Sequence, residues 1–271
     1  MSLAERLARP EILAMPPLDL EPTPNLADVI KLDANENPFP PLAGGAFAAN
    51  VNRYPESRPQ RLRDVMAALY GVQPDQLLVA RGGDDVIDLL CRTFLRGTED
   101  AVAVSTPTFT AYAHYAKLRG ARIIELPLGP DFAFSADRII DGLSDETNVK
   151  LAFVCAPNNP TGTAVDAGEI TALADRLPDT LILLDEAYLD FGDTPSLAAE
   201  AVTRPNLLVL KTLSKAWGLA GARVGALIGP ADTVALVSRA LPHYPLPTLS
   251  IAAALDALQP SRRLVQQQRI A

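Results

Sequence analysis

Short apolar runs alternate with amphipathic stretches through the middle of the chain, and this alternation predicts its fold. Residues with apolar positions at helical spacing predict helices over 61–70, 84–95, 108–118 and 167–177. The apolar runs predicted as strands are 76–80, 101–105, 122–126, 150–155, 180–185, 206–210 and 223–228. Short strands alternating with helices indicate an α/β fold, a three-layer α/β/α domain whose mostly parallel sheet has helices on both faces.

The two ends of the chain have a different pattern. The stretch up to about Asn25 is rich in proline, which predicts an extended arm. A second proline-rich segment, 35–41, cannot form a regular helix or a central strand. From Ala231 onward the pattern is helical and stays so to the end of the chain.

Composition and charge exclude several classes of function. The formal net charge of −8 repels phosphate backbones, so nucleic acid and anionic membranes are poor partners. With only two cysteines and two histidines, the chain offers little material for a metal centre or a Ser-His-Asp triad. The sequence has no signal-peptide core and no apolar run that could span a bilayer, which predicts a cytoplasmic protein.

Lys215 is the strongest candidate for a reactive group. It follows an apolar strand, and Thr212, Ser214 and Arg223 near it offer two hydroxyls and a planar guanidinium suited to a phosphate. A lysine near such cations loses its proton more easily, as a nucleophilic amine requires. The alternative is an ordinary solvated lysine, which is the commoner role for a Ser-Lys pair alone.

Asp185 ends another predicted strand and begins the sequence Asp-Glu-Ala-Tyr188. A carboxylate at this position is often a helix cap or a loop residue. Held at the end of a buried strand, it can instead keep a pyridine nitrogen protonated, so that the ring accepts electrons from a substrate carbon. Tyr188 would then reach the phenolic oxygen of the same ring.

Three further segments lie at predicted strand ends, where ligands gather in sheets of this kind. The segment 156–162 is a turn by composition, and Asn159 in it can donate to a phenolate oxygen. Gly83, Asp84 and Asp85 open a predicted helix, whose free N–H groups can bind a phosphate. Phe109 is either a ring that stacks on a cofactor or a core residue.

Together these segments resemble the fold-type-I pyridoxal-5′-phosphate (PLP) aminotransferases, and within them the histidinol-phosphate aminotransferases. Any one motif occurs often by chance, but five in the family's order, across residues 32–229, are specific. The matching segments are Leu-Asp-Ala-Asn-Glu-Asn-Pro at 32–38, Asn-Arg-Tyr-Pro-Glu at 52–56, Arg-Gly-Gly-Asp-Asp at 81–85, Pro-Asn-Asn-Pro-Thr-Gly at 157–162, and Thr-Leu-Ser-Lys-Ala-Trp-Gly at 212–218 followed by Arg223.

The resemblance implies a role for each candidate residue. Lys215 is implied as the Schiff-base lysine and the general acid/base, and Asp185 as the partner of the pyridine nitrogen. Asn159 and Tyr188 are implied to hold the phenolic oxygen, with Phe109 stacked on the ring. The residues implied to bind the phosphate are Thr212, Ser214, Arg223 and the backbone of Gly83, Asp84 and Asp85. Tyr54 is implied to reach the phosphate in the neighbouring subunit of a homodimer.

The activity that the resemblance implies is transamination between histidinol phosphate and 2-oxoglutarate in histidine biosynthesis. Three alternatives stay open: an aromatic aminotransferase, a threonine-phosphate decarboxylase, and a homologue that binds PLP without turnover. The cofactor motifs cannot separate the first two from the main prediction, because these enzymes share them.

The C-terminal part departs from the family pattern. The family places an arginine for the substrate carboxylate there, and no residue after Arg223 matches its motif; Arg262, Arg263 and Arg269 are expected on a helix face. We therefore expect a C-terminally shortened chain, or one that recognises substrate differently. The expected domains are an N-terminal arm with a small-domain segment (1–34), a PLP-binding large domain (35–235) and the incomplete start of a small domain (236–271).

Overall fold

The computed structural model describes residues 1–16, 34–39 and 51–270, and its central element is one sheet of seven strands. Along the sheet the strand order is β1-β7-β6-β5-β4-β2-β3. Only β7 runs against its neighbours, pairing antiparallel with both β1 and β6, so the predicted mostly parallel sheet is confirmed. The strands are β1 (Leu77–Ala80), β2 (Ala101–Thr106), β3 (Arg122–Pro127), β4 (Val149–Cys155), β5 (Leu181–Asp185), β6 (Leu207–Thr212) and β7 (Gly225–Ile228).

Helices cover both faces of the sheet, which confirms the three-layer architecture. One face packs against α3, α6, α7, α8 and α10, and the other against α1, α2, α4, α5 and α9. The helices are α1 (Leu3–Leu7), α2 (Pro10–Ala14), α3 (Gln60–Tyr70), α4 (Gly83–Phe94), α5 (Ala111–Leu118), α6 (Ala136–Gly142), α7 (Ala167–Arg176), α8 (Ala198–Ala201), α9 (Ala231–Ser238), α10 (Thr248–Ala257) and α11 (Pro260–Ile270).

The central strands are buried on both faces, so their side chains divide between two cores. On β6, Val209 packs into the core shared with α3, whereas Leu208 and Leu210 pack into the core shared with α4. This is the two-residue alternation of an extended strand. The same alternation continues to the polar residues at the ends of the strands, and it decides to which face of the sheet each of them points.

The N-terminal stretch is not the extended arm that its prolines predicted. Within the described part, Leu3–Leu7 and Pro10–Ala14 are helical. Ser2 caps α1 by accepting from the Glu5 N–H at 3.3 Å, and Pro10 lies in the first turn of α2, where its missing N–H costs nothing. Leu3, Leu7 and Ile12 are buried, so their apolar spacing outweighed the prolines.

One smaller difference from the prediction concerns the start of helix α5. The helix predicted to begin at Thr108 begins at Ala111, which leaves Phe109 in the preceding loop. Residues 34–39 form neither helix nor strand, as predicted, while residues 40 and 41 lie outside the described part.

The parallel strands β2, β4, β5 and β6 all end at one edge of the sheet, and α4 starts directly after β1 beside them.

Candidate functional site

A pocket of about 120 Å³ lies at the carboxyl edge of the sheet, and we call it the Lys215 pocket. It brings together residues that are up to 140 positions apart, from Gly83 to Arg223. All the predicted site residues except Asp85 and Tyr54 line it. Its lining residues are Gly83, Asp84, Ile87, Phe109, Cys155, Asn159, Asp185, Ala187, Tyr188, Leu210, Thr212, Ser214, Lys215 and Arg223.

Lys215 extends from the loop after β6 with its amine free of charged partners. Its Nζ lies 5.2 Å from the centre of the Tyr188 ring. Within the described part of the chain, no carboxylate forms a salt bridge with it. An amine over an aromatic face is held weakly, by about 0.5–1 kcal/mol at an exposed position. Lys215 is therefore available to react with a ligand.

Asp185 lies at the end of β5 with a residue exposure of 4%. Its Oδ2 accepts from the Tyr112 hydroxyl at 2.7 Å, and its Oδ1 accepts from the Ala187 N–H at 3.0 Å. Burial raises the pKa of Asp185 to about 6, although these two hydrogen bonds act in the opposite direction. The carboxyl group is therefore mostly ionised at neutral pH, and it can balance a positive charge in the pocket.

Tyr112 is a partner that the sequence analysis missed. Its ring stacks on Phe153 with centroids 5.0 Å apart and meets Phe109 edge-on at 5.6 Å. Burial, followed by the nearby Asp185 charge, raises the pKa of the Tyr112 hydroxyl, so the group stays protonated and donates. In sequence it looks like an apolar position of α5, and only its hydroxyl hints at a buried acceptor.

The opposite end of the Lys215 pocket carries the groups that suit an anion. Helix α4 begins at Gly83 with no side chain capping its first N–H groups. Arg223 Nη2 lies 3.0 Å from Asp84 Oδ2, and Arg223 Nη1 donates to Ser214 Oγ at 3.4 Å. Gly82, which precedes α4, has a φ of +83°, a backbone conformation that favours glycine, and a Cβ there would lie 2.9 Å from Arg223 Nη2.

Two hydroxyls complete that end of the pocket. Thr212, the last residue of β6, donates through Oγ1 to Ser214 Oγ at 3.0 Å. The Ser214 N–H donates back to Thr212 Oγ1 at 3.1 Å, which fixes the first turn of the Lys215 loop. The hydroxyls, the guanidinium and the helix start together match the donors that bind a phosphate.

Adjacent asparagines in the turn after β4 have different roles. Asn158 is buried and fully used: it accepts from the Thr108 hydroxyl at 3.0 Å and donates to Pro107 O and to Thr161 Oγ1. Asn159 lines the Lys215 pocket. The first side chain shapes the turn, and the second is presented to the pocket.

Two predicted site residues lie elsewhere. The Asp85 carboxylate points away from the pocket, where it accepts from the Arg81 N–H at 3.0 Å and pairs with the Arg81 guanidinium at 3.1 Å. Tyr54 is 52% exposed and stacks on Tyr244 at 4.4 Å, in a separate hollow beside Glu36. The site within one chain therefore forms without Tyr54.

A larger hollow of about 560 Å³, which we call the Lys211 pocket, lies on the other core face. Lys211 Nζ forms an ion pair with Glu186 Oε2 at 2.5 Å, and the two side chains are 4% and 1% exposed. Glu186 also accepts from the Ser196 hydroxyl at 2.6 Å and the Leu197 N–H at 2.8 Å. The sequence analysis did not identify this pair, although strand alternation places Lys211 on the opposite face from Thr212.

The C-terminal arginines occupy a helix, as expected. Arg262 pairs with Asp256 at 2.8 Å on the surface, and Arg263 borders the Lys211 pocket. The side chain of Arg269 lies outside the described residues. Neither Arg262 nor Arg263 lines the Lys215 pocket.

Metal binding and membrane insertion were also tested against the structure. Over residues 1–16, 34–39 and 51–270, His, Cys, Asp and Glu side chains form no cluster that could hold a metal ion. Among the helices of those same ranges, none combines the length and the apolar character needed to cross a bilayer. Cys91 and Cys155 are both buried free thiols.

Comparison with known proteins identifies similar chains. The family described as "Aminotransferase class I and II" matches residues 27–270. The histidinol-phosphate aminotransferase of Stenotrophomonas maltophilia (strain R551-3) is 39% identical over 269 residues, covering 98% of this chain and 73% of the relative. The enzyme of the same name from Xylella fastidiosa (strain 9a5c) is 41% identical over 243 residues, covering 89% and 66%.

Solved structures agree with this similarity. The histidinol-phosphate aminotransferase of Sinorhizobium meliloti, crystallised with pyridoxal-5′-phosphate, superimposes with a TM-score of 0.74 at 25% identity. That match covers 81% of this chain and 60% of the crystallised one. An L-threonine-O-3-phosphate decarboxylase from Porphyromonas gingivalis shares the fold, with a TM-score of 0.63 at 24% identity. The chain thus spans about two thirds of the length of its relatives.

Proposed function

The chain belongs to the class I and II aminotransferase family, and from this premise we propose that it transfers an amino group from histidinol phosphate to 2-oxoglutarate with PLP as cofactor. One observation carries the proposal. The free amine of Lys215 and the buried carboxylate of Asp185 line the same pocket as an uncapped helix start and Arg223.

The residues present fit PLP. The cofactor has a phosphate at one end and a basic ring nitrogen at the other, and the pocket offers cationic and N–H donors at one end and a carboxylate at the other. Thr212, Ser214, Arg223 and the backbone of 83–85 would hold the phosphate, although the Asp85 side chain contributes only to the turn.

The chain's own groups have distinct tasks in this reaction. PLP, when bound, supplies a ring that accepts the electrons released at the substrate Cα. Asp185 is mostly ionised at neutral pH and would keep a proton on the ring nitrogen. Lys215 would hold the cofactor through Nζ, and its free amine would act as the general base and acid that takes up and returns the substrate Cα proton.

Other pocket residues orient the ring. Asn159 and Tyr188 line the pocket and are proposed to donate to the phenolic oxygen. Phe109 lines the same pocket and is proposed to stack on the ring. Asn158 supports Asn159 indirectly, because two of its hydrogen bonds tie the turn to the loop before α5 and a third, to Thr161, closes the turn itself.

The substrate assignment draws on the curated relatives, which carry the name histidinol-phosphate aminotransferase at about 40% identity. The decarboxylase match supports only a shared fold. We also propose a cytoplasmic homodimer in which Tyr54 reaches the neighbouring subunit's phosphate. Its partial exposure and its position outside the Lys215 pocket of its own chain support this arrangement.

A substrate comparison tests the proposal. The purified chain, loaded with PLP, is incubated with 2-oxoglutarate and, separately, histidinol phosphate, phenylalanine or threonine phosphate. We expect glutamate to form fastest with histidinol phosphate, and no carbon dioxide from threonine phosphate. Glutamate formation with phenylalanine alone, release of carbon dioxide, or PLP binding without any turnover would each contradict it and indicate one of the three alternatives.

A further inference from the structure

The side-chain partner of Asp185 is a tyrosine that none of the matching motifs contains. Tyr112 is fully buried, and its hydroxyl lies 2.7 Å from Asp185 Oδ2. Two aromatic contacts fix the ring, a stacked one with Phe153 at 5.0 Å and an edge-on one with Phe109 at 5.6 Å. Because these contacts hold the ring in place, the hydroxyl oxygen stays within hydrogen-bond distance of the carboxylate.

The carboxylate receives one donor on each oxygen. The Ala187 N–H donates to Oδ1 at 3.0 Å, and Tyr112 donates to Oδ2. Donors of this kind stabilise the ionised form of a carboxylate, whereas burial favours the neutral form. The other charges that act on Asp185 are Asp84, which favours the neutral form, and Lys215, which favours the ionised form. The Cys155 thiol also lies beside Tyr112 and Asp185.

We infer that Tyr112 is a positioning residue for Asp185: its hydroxyl keeps the carboxylate ionised and oriented, so that Asp185 can hold a proton on the ring nitrogen of the bound cofactor. This inference rests on the proposed function, because it assigns a task only if PLP binds in the Lys215 pocket.

A packing role alone does not account for the hydroxyl. Tyr70, at the end of α3, shows what such a role looks like: its hydroxyl is buried without a hydrogen-bond partner within the described part of the chain. A phenylalanine would fill the same space there. The Tyr112 hydroxyl, in contrast, donates to the one buried carboxylate that lines the Lys215 pocket.

The test compares Tyr112→Phe with the matched control Tyr70→Phe. The dissociation constant for PLP is measured for both variants and the wild type from pH 6 to 9, by cofactor absorbance and protein fluorescence. Loss of a hydrogen bond to the charged carboxylate raises the pKa of Asp185 by about 1–2 pH units, so the group is less ionised at a given pH. We expect Tyr112→Phe to weaken PLP binding roughly tenfold relative to the wild type at pH 6.5, and to match it by pH 9.

The pH dependence separates positioning from packing. If PLP binding by Tyr112→Phe recovers to the wild-type value at high pH, the inference is supported. If PLP binding is weakened equally at every pH, or no more than in Tyr70→Phe, the inference is overturned. In an Asp185→Asn background, Tyr112→Phe should add no pH-dependent change, because no carboxylate remains there to ionise; a pH-dependent effect of Tyr112→Phe in that background would contradict the inference. A wild-type chain that does not bind PLP would overturn the proposed function as well. If the wild type binds PLP, but the ratio of the dissociation constants of Tyr112→Phe and wild type is the same at every pH, only the role of Tyr112 is overturned.

Discussion

The two lysines near the end of β6 have opposite environments. Lys211 is 4% exposed and forms an ion pair with Glu186 at 2.5 Å. Lys215 is exposed, and its amine lies 5.2 Å from the Tyr188 ring centre. The two carboxylates at the end of β5 divide in the same way: Glu186 pairs with Lys211, whereas Asp185 lines the Lys215 pocket.

Strand alternation explains the division. Successive residues of a strand point to opposite faces, so Asp185 and Glu186 enter different cores, as do Lys211 and Thr212. In the Lys211 pocket the cation and the anion neutralise each other. In the Lys215 pocket no salt bridge joins Asp185 to Lys215, both of which the structure describes. One pair stabilises the fold, and the other is free to bind a ligand that carries both charges.

The largest expected effect comes from removing the free amine. Lys215→Ala should lower transamination by at least about a thousandfold, because the variant lacks the nucleophile and the proton carrier. Its free energy of unfolding should stay within about 1 kcal/mol of the wild type, since the amine has no salt bridge to lose and only a weak contact with the Tyr188 ring. Steady-state glutamate formation and urea unfolding measure the two quantities.

A surface lysine is the control for that experiment. Lys117→Ala, an exposed position on α5, should leave both activity and stability unchanged. If Lys215→Ala kept wild-type rates, or if it unfolded as readily as a core variant, the distinction between the two lysines would be wrong.

The next effect concerns the paired lysine and is one of stability. Lys211→Met leaves the Glu186 carboxylate buried without a counter-charge, and breaking a buried pair in this way costs about 3–5 kcal/mol. Chemical denaturation of the cofactor-free chain measures this loss. The double variant Lys211→Met/Glu186→Gln removes both charges. Its amide oxygen can still accept from the Leu197 N–H, and its amide N–H can donate to Ser196 Oγ, so it should recover most of the stability. A single variant as stable as the wild type would contradict a structural role for the pair.

The smallest expected effect is a pH dependence that belongs to Asp185. Its pKa is about 6 in the folded chain and 3.8 ordinarily, so between these pH values the folded state holds a proton that the unfolded state has released. The contribution of Asp185 to stability is therefore present below pH 3.8 and lost as the pH rises through 6, by roughly 3 kcal/mol.

Asp185→Asn isolates this contribution. The stability of the cofactor-free variant relative to the wild type should rise between pH 4 and pH 7, because the amide cannot ionise. Urea unfolding at several pH values checks the trend, and parallel stability curves for the two proteins would show that burial does not act on Asp185 as described.

Sequence patterns predicted the sheet and the pocket because both depend on local signals. Apolar runs located the strands, and the polar residues that follow them, such as Asp185 and Lys215, meet because parallel strands end at one edge. Patterns did not predict the hydrogen bond from Tyr112 to Asp185, whose partners lie 73 positions apart and meet only in the folded core.

One other difference has a clear physical cause. The N-terminal helices were missed because proline was taken as a helix breaker, although Pro10 lies in a first turn, where it is tolerated. For Asp85 the prediction concerns the backbone that opens α4, and it stays a prediction; the structure adds that an arginine four residues earlier binds its carboxylate.

The most direct test of the central claim is to locate the covalent attachment of the cofactor. The chain is saturated with PLP, reduced with borohydride, digested and analysed by mass spectrometry. We predict a reduced adduct on the peptide that contains Lys215, with Lys211 unmodified because Glu186 holds its amine. An adduct on Lys211 or on another lysine, or no adduct at all, would contradict the account.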